Sequence, residues 1–484
     1  MLRIAVVGSG PSGIYAAQGL VQQTRVPNIE VHVLDRLPCP YGLVRYGVAP
    51  DHAKIKSLQS TLRTVLEHER ITFVGHVEVG SHGLAPDRLL ELYHAVVYCV
   101  GAARDRRLGI PGEDLPGSHS ATDFVSWYSA HPDAIRNGFR LSTGTAVVIG
   151  VGNVAVDVAR ILARSAQELT PTDVPQDVLD ALGRSRVRDV HMVGRRGPSQ
   201  ARFTTKELRE LGSLPSARMV VTPGDLALDP AHADASGVTA AALPAVNRRN
   251  LDTVRTWVDE SDPAPRSPDG SRIHLRFFLR PVEFLEADGA VAGVRFERTA
   301  PDGLGGVQGT GAYEDIAAGL VLRAVGYRGV PLPGLPFDAD RGTVPHRDGR
   351  VLRGGKPAPG EYVAGWIKRG PTGVIGTNRP CAKETVASLL DDADALAQRS
   401  VVEDPLRELR ASGHRPVLWA GWRAIEAAEE ELGRSLGRPS VKITGWDDLL
   451  AAALGRDGRE AAPSGQVGSE ADGQSSLSDV MRSD

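Results

Sequence analysis

The chain opens on an apolar run, Leu2-Arg3-Ile4-Ala5-Val6-Val7, which predicts a buried strand leading straight into a glycine turn. The pattern over residues 14–20 predicts a helix after that turn, and Val31-His32-Val33-Leu34 predicts the next strand. The same order recurs at Ala146-Val147-Val148-Ile149, with a helix predicted over residues 156–163 and, after a long insert, a strand over residues 190–194. Each is a candidate opening of a βαβ unit. Two matching apolar segments that end in glycine, residues 95–101 and 320–326, are expected to mark where the chain leaves a first domain and returns to it. Residues 273–284 alternate as strands do, with 291–297 as the pairing candidate, and helical patterns cover 382–397 and 421–432. Beyond about residue 456 Gly, Ser, Asp and Glu dominate. With little to bury against its ordering entropy, 456–484 is expected to be a disordered tail.

Composition narrows the function classes. A chain of 484 residues, 41% hydrophobic, can bury the cores of two or more domains. The formal charge of -3 supplies no net positive field, so nucleic acid is not an expected partner. The cysteines Cys39, Cys99 and Cys381 form no Cys-x-x-Cys pair. That argues against a thioredoxin-type disulfide, a zinc ribbon and a protein-held iron–sulfur cluster, and no metal site is expected. No stretch reaches the ~20 apolar residues that cross a bilayer, and no signal peptide precedes the first strand. A cytoplasmic protein without a membrane partner is the expectation.

The first glycine turn, Gly8-Ser9-Gly10-Pro11-Ser12-Gly13, fits G-x-G-x-x-G between a strand and a helix. Gly8 permits the tight turn, Gly10 lets backbone approach a pyrophosphate, and Gly13 lets helix pack on strand. The helix start offers free N–H groups and the positive end of its dipole to phosphate. The second strand ends in Asp35, where a carboxylate can bind ribose hydroxyls.

The second turn, Gly150-Val151-Gly152-Asn153-Val154-Ala155, is the G-x-G-x-x-A variant, and its second strand ends in Arg195-Arg196 instead of an acid. A carboxylate there would repel a 2′-phosphate, whereas two guanidiniums can bind it through paired donors, so NADP is the expected occupant. Two nucleotide sites in one chain imply internal electron transfer. FAD would be held permanently and NADPH would visit to deliver hydride.

Longer strings resemble one family. Residues 41–52 (Tyr-Gly-Leu-Val-Arg-Tyr-Gly-Val-Ala-Pro-Asp-His), 108–114, 194–198 and 365–378 are similar to the ferredoxin–NADP reductases of the adrenodoxin-reductase type. The resemblance runs, with gaps, to about residue 450. It implies an α/β fold of two Rossmann-like dinucleotide-binding domains, glutathione-reductase-like, with a discontinuous FAD domain. The expected boundaries are 1–104 and 329–455 for FAD and 105–328 for NADP. It further implies FAD contacts from Ser12, Asp35, Leu43, Val79, Trp366 and Gly373-Val374-Ile375, and NADP contacts from Arg106, Val151 to Val154, Arg195, Arg196, Glu207 and Gly373. Asp35 stands where the family usually has Glu, and Val151 where a polar residue is usual.

For proton handling, His52 can exchange a proton near neutral pH. Thr204-Thr205-Lys206-Glu207 reads as a capping box that accounts for Glu207, while Glu210, one turn on, has no such structural excuse. The resemblance makes His52 and Glu210 the acid/base pair beside the nicotinamide. Arg248, Arg249 and Arg255 form a local basic cluster suited to an acidic ferredoxin-type iron–sulfur partner. The expected activity is that of a ferredoxin–NADP(+) reductase, acting as a monomer. The alternatives are a general NADPH diaphorase or electron-supplying subunit, and a non-catalytic nucleotide sensor.

Overall fold

The computed structural model describes residues 1–80, 83–234, 236–259 and 270–455. The expected disordered tail lies outside the described residues. The first strand, Leu2–Val7, is buried along nearly its whole length, because a parallel sheet covered on both faces has no solvent side to which polar residues could alternate. It sits inside a seven-stranded sheet in the order 346–347, 350–353, Lys356–Val363, Ala95–Tyr98, Leu2–Val7, Ile29–Leu34, Ile71–Val74. Both ends of the chain therefore contribute to one sheet. Helix Pro11–Gln22 packs on it together with Asn378–Asp391, and Trp419–Ser435 covers the same apolar layer.

A second, wholly parallel sheet has six strands in the order Ser118–Ser120, Leu320–Arg323, Thr145–Ile149, Asp189–Val193, Ser271–Arg276, Ala217–Val221. A three-stranded antiparallel sheet, Leu279–Ala287, Ala290–Pro301 and Val307–Ala317, is appended to it. The alternating stretch 273–284 is thus divided between two sheets, and Phe284 pairs with Val294 as its pattern suggested.

The two matching apolar segments prove to be strand neighbours of the glycine turns. Ala95–Tyr98 pairs with the first turn's strand and Leu320–Arg323 with the second's. The crossing between the two halves comes just after each of them, as a short antiparallel ladder of Arg104–Asp105 with Tyr327–Arg328. Helices begin and end a few residues beyond the apolar pattern, because polar caps and first-turn residues carry no periodicity. The second turn's helix runs Asn153–Ala163, and the segment over 382–397 is two helices, Asn378–Asp391 and Ala393–Ala397.

Candidate functional site

The two glycine turns follow one plan. Gly8 has φ +108° and Gly150 φ +141°. A Cβ on Gly8 would stand 2.5 Å from the Cys99 carbonyl, and one on Gly150 2.3 Å from that of Ala324, each just past the neighbouring strand. Both turns therefore lie at the carboxyl ends of their strands, where the sheet order reverses and where open α/β sheets bind ligands. Gly13 lets its helix rest on the turn, since a Cβ there would fall 1.9 Å from the Gly8 carbonyl. Gly10 has only the Gly42 Cα within 4 Å of such a position, at 3.9 Å, and Gly152 has nothing. The middle glycines face open space.

The first cradle suits a dinucleotide by the donors it leaves free. Ser12 is 8% exposed, yet its Oγ has no hydrogen-bond partner. Gly365 approaches it so closely that a Cβ would stand 2.4 Å from that oxygen. Asp35 accepts from Ser9 N at 2.8 Å and Ser9 Oγ at 2.6 Å, and from Leu37 N at 2.9 Å, so it braces the turn. Burial pushes its carboxyl up, against these hydrogen bonds. Leu43 and Val374 are large apolar side chains left 45% and 63% exposed, Leu43 opening the helix Leu43–Tyr46 directly after Gly42, which lies against Gly10. Trp366 stacks on Tyr327 at 5.5 Å and donates Nε1–H to the Thr372 carbonyl at 3.2 Å, which holds the loop bearing Gly373 and Ile375. Val79 is buried in the apolar cluster that includes Leu34, so only its backbone is free to meet a ligand.

At the second cradle, Val151 fills the space beside Gly194, and Arg195 and Arg196 follow immediately. Asn153 is partly spent internally, because its Oδ1 accepts from Thr204 N at 2.8 Å. Arg106 is exposed at the crossing ladder, where its Nε donates to the Tyr327 carbonyl at 3.2 Å.

His52 lies between the halves. Its Nε2 is 3.0 Å from Asp157 Oδ1 and 3.0 Å from Glu207 Oε2, and its Nδ1 is 3.5 Å from Glu210 Oε2. Arg160, 1% exposed at its side chain, lies 2.7 Å from Asp157, 3.6 Å from Glu207 and 3.9 Å from Glu210. Burial disfavours the imidazolium, but the hydrogen bond to Asp157 and the adjacent Glu207 carboxylate outweigh it, and Arg160 only partly opposes them. His52 is pushed up to about 9. Glu207 is held low, as His52 and Arg160 overcome its burial. The site can thus store a proton between an imidazole and several carboxylates.

The expected capping box at Glu207 is half formed. Thr204 accepts from Glu207 N at 3.3 Å, while the Glu207 side chain turns to His52 instead of back to the cap. The buried charge of His52 and Arg160 is the stronger attraction. Both glutamates therefore reach His52, Glu207 more closely. Sequence reasoning missed Asp51, Asp157 and Arg160. A signal existed, since Asp157 and Arg160 interrupt an otherwise apolar helix at i, i+3. The basic cluster is reduced. Arg248 and Arg249 are exposed on helix Ala245–Asp259, but Arg255 bonds His232 Nδ1 at 3.0 Å and pairs with Asp252 at 3.1 Å. The cysteines Cys39, Cys99 and Cys381 are buried free thiols.

Two nucleotide cradles joined by one buried proton-holding cluster define a flavin- and pyridine-nucleotide-dependent oxidoreductase. Residues 2–208 match the pyridine nucleotide-disulphide oxidoreductase family. The chain is 44% identical to the NADPH-ferredoxin reductase FprA of Mycobacterium tuberculosis, covering 93% of this chain and 99% of that protein. It is 39% identical to the mitochondrial NADPH:adrenodoxin oxidoreductase of Arabidopsis thaliana, covering 93% and 95%. The solved structure of M. tuberculosis FprA in complex with NADPH superposes with a TM-score of 0.85 at 42% identity, covering 94% of this chain and 100% of that one. The chain belongs to the NADPH-ferredoxin and adrenodoxin reductase family. Among the described residues no helix is long and apolar enough to cross a membrane.

Proposed function

We propose that this protein is an FAD-dependent ferredoxin–NADP(+) reductase, moving electrons between NADPH and a ferredoxin-type iron–sulfur protein. Bound FAD supplies the chemistry the side chains lack, accepting a hydride as an electron pair and releasing electrons singly. The observation that carries this reading is the common plan of the two glycine turns, with His52 bridged to the helix that follows the second.

The chain's own residues divide the work. The turn Gly8, Gly10, Gly13 and the Ser12 hydroxyl hold the FAD pyrophosphate, and Asp35 faces its ribose. Leu43, Val79, Trp366 and the loop Gly373-Val374-Ile375 line the flavin side. The turn Val151, Gly152, Asn153, Val154 receives the NADP pyrophosphate, with Arg106 and Glu207 beside it, while Arg195 and Arg196 bind the 2′-phosphate. His52 holds a proton at its ring nitrogens, and Glu210, half-exposed 3.5 Å from Nδ1, links that proton to solvent. Residues 1–104 with 329–455 form the FAD unit and 105–328 the NADP unit. Arg248 and Arg249 offer an acidic partner a basic contact.

Anaerobic NADPH should bleach the flavin absorbance of the purified protein, and an added ferredoxin should restore it. If the flavin does not bleach, the reading is wrong. Bleaching that no ferredoxin reverses would leave a general NADPH diaphorase.

A further inference from the structure

We propose that Arg202 is a third cation of the 2′-phosphate subsite and sharpens the preference for NADPH over NADH. The inference rests on the second glycine turn being the NADPH cradle. Arg202 N donates to the Val151 carbonyl at 2.9 Å, so this residue lies against the middle of that turn. Val151 also packs beside Gly194, where a Cβ would meet its methyl groups at 2.9 Å, directly before Arg195 and Arg196. The arginine pair and Arg202 thus flank one valine.

The backbone that displays Arg202 is held on both sides. Ala201 and Phe203 are 3% and 1% exposed, while Arg202 between them is exposed. Asn247 Nδ2 donates to the Ala201 carbonyl at 3.3 Å, and Asn250 Nδ2 to that of Phe203 at 2.9 Å. A guanidinium on so fixed a segment loses little backbone freedom when it binds.

No carboxylate stands within ion-pair distance of Arg195, Arg196 or Arg202 among the described residues. Burial and repulsion from Arg195 and Arg202 hold Arg196 below its ordinary range. Like charges gathered without a counter-charge among the described residues repel one another, and an arriving dianion relieves that repulsion. A phosphomonoester carries about −1.5 to −2 charge at neutral pH and three acceptor oxygens, enough to engage three guanidiniums. NADH lacks that group.

The test is calorimetric titration of the holoenzyme with 2′,5′-ADP and with 5′-AMP, for wild type, R202A, R202K and R195A/R196A. R202A is expected to lower the ratio of the two affinities about 5- to 20-fold, with R202K restoring part of it. An unchanged ratio in R202A, beside a collapsed one in R195A/R196A, would remove Arg202 from the subsite and leave the NADPH reading standing. An unchanged ratio in R195A/R196A would overturn that reading itself.

Discussion

Asp51 and Arg160 meet in a two-point ion pair, Oδ2 to Nε at 2.7 Å and Oδ1 to Nη2 at 3.1 Å, across 109 residues of chain. Arg164 adds its Nε to the same Oδ2 at 2.8 Å. The residue before His52 is thereby tied to the helix that follows the second glycine turn. His52 and the helix of the second turn are positioned by one bond set.

Breaking that pair removes one of several carboxylates around a buried guanidinium. D51A should lose about 1–3 kcal/mol of stability, because Arg160 keeps Asp157 at 2.7 Å but loses its two-point partner, and Arg164 loses its bond to the same carboxylate. R160M should cost more, because Asp51, Asp157 and Glu207 all lose their shared cation. Urea denaturation of wild type and the two variants decides this, and an R160M loss no larger than that of D51A would refute it.

His52 makes stability depend on pH on the alkaline side. Its value is raised to about 9 from the ordinary 6.5, so the stabilisation is full below 6.5 and is lost as pH rises through 9. The difference in melting temperature between wild type and H52Q should shrink between pH 7 and 9.5. A difference constant over that range would sink the assignment.

The two glutamates should separate kinetically. Glu207 is an acid that raises His52, so E207Q should move the alkaline limb of the kcat/KM profile to lower pH. E210A should slow flavin reduction by about 100-fold while FAD stays bound. Stopped-flow reduction across pH tests both, and a profile unmoved in E207Q would count against the pairing.

The arginine pair should govern coenzyme choice. R195A/R196A is expected to raise KM for NADPH about 10- to 100-fold, the scale of lost charge-assisted bonds, and KM for NADH far less. Equal losses for both coenzymes would refute a 2′-phosphate role.

Two glycines should respond differently to one methyl group. G13A places a Cβ 1.9 Å from a carbonyl and should yield protein without bound FAD. G152A meets nothing within 4 Å, so it should fold and keep FAD but bind NADPH more weakly. Flavin content and coenzyme titration distinguish the two.

Much of this protein was legible from local pattern. Each glycine turn, its flanking strands and the residue ending the second strand lie within one βαβ unit, where short-range sterics and helix dipoles dictate the layout. Asp35 and Arg195-Arg196 could be picked out as candidates for that reason. Of the carboxylates around His52, Glu210 was named through the family resemblance, but the two nearer ones could not be read as its partners. Asp157 is 105 residues away, and Glu207 looked like half of a capping box until a buried cation appeared beside it. The exposed display of Arg202 likewise depends on Asn247 and Asn250, on a helix that packs there only in the folded chain. Local propensity chooses elements over a few residues, whereas buried charges are paired by whichever distant segments packing brings together, and only the tertiary structure decided those pairs.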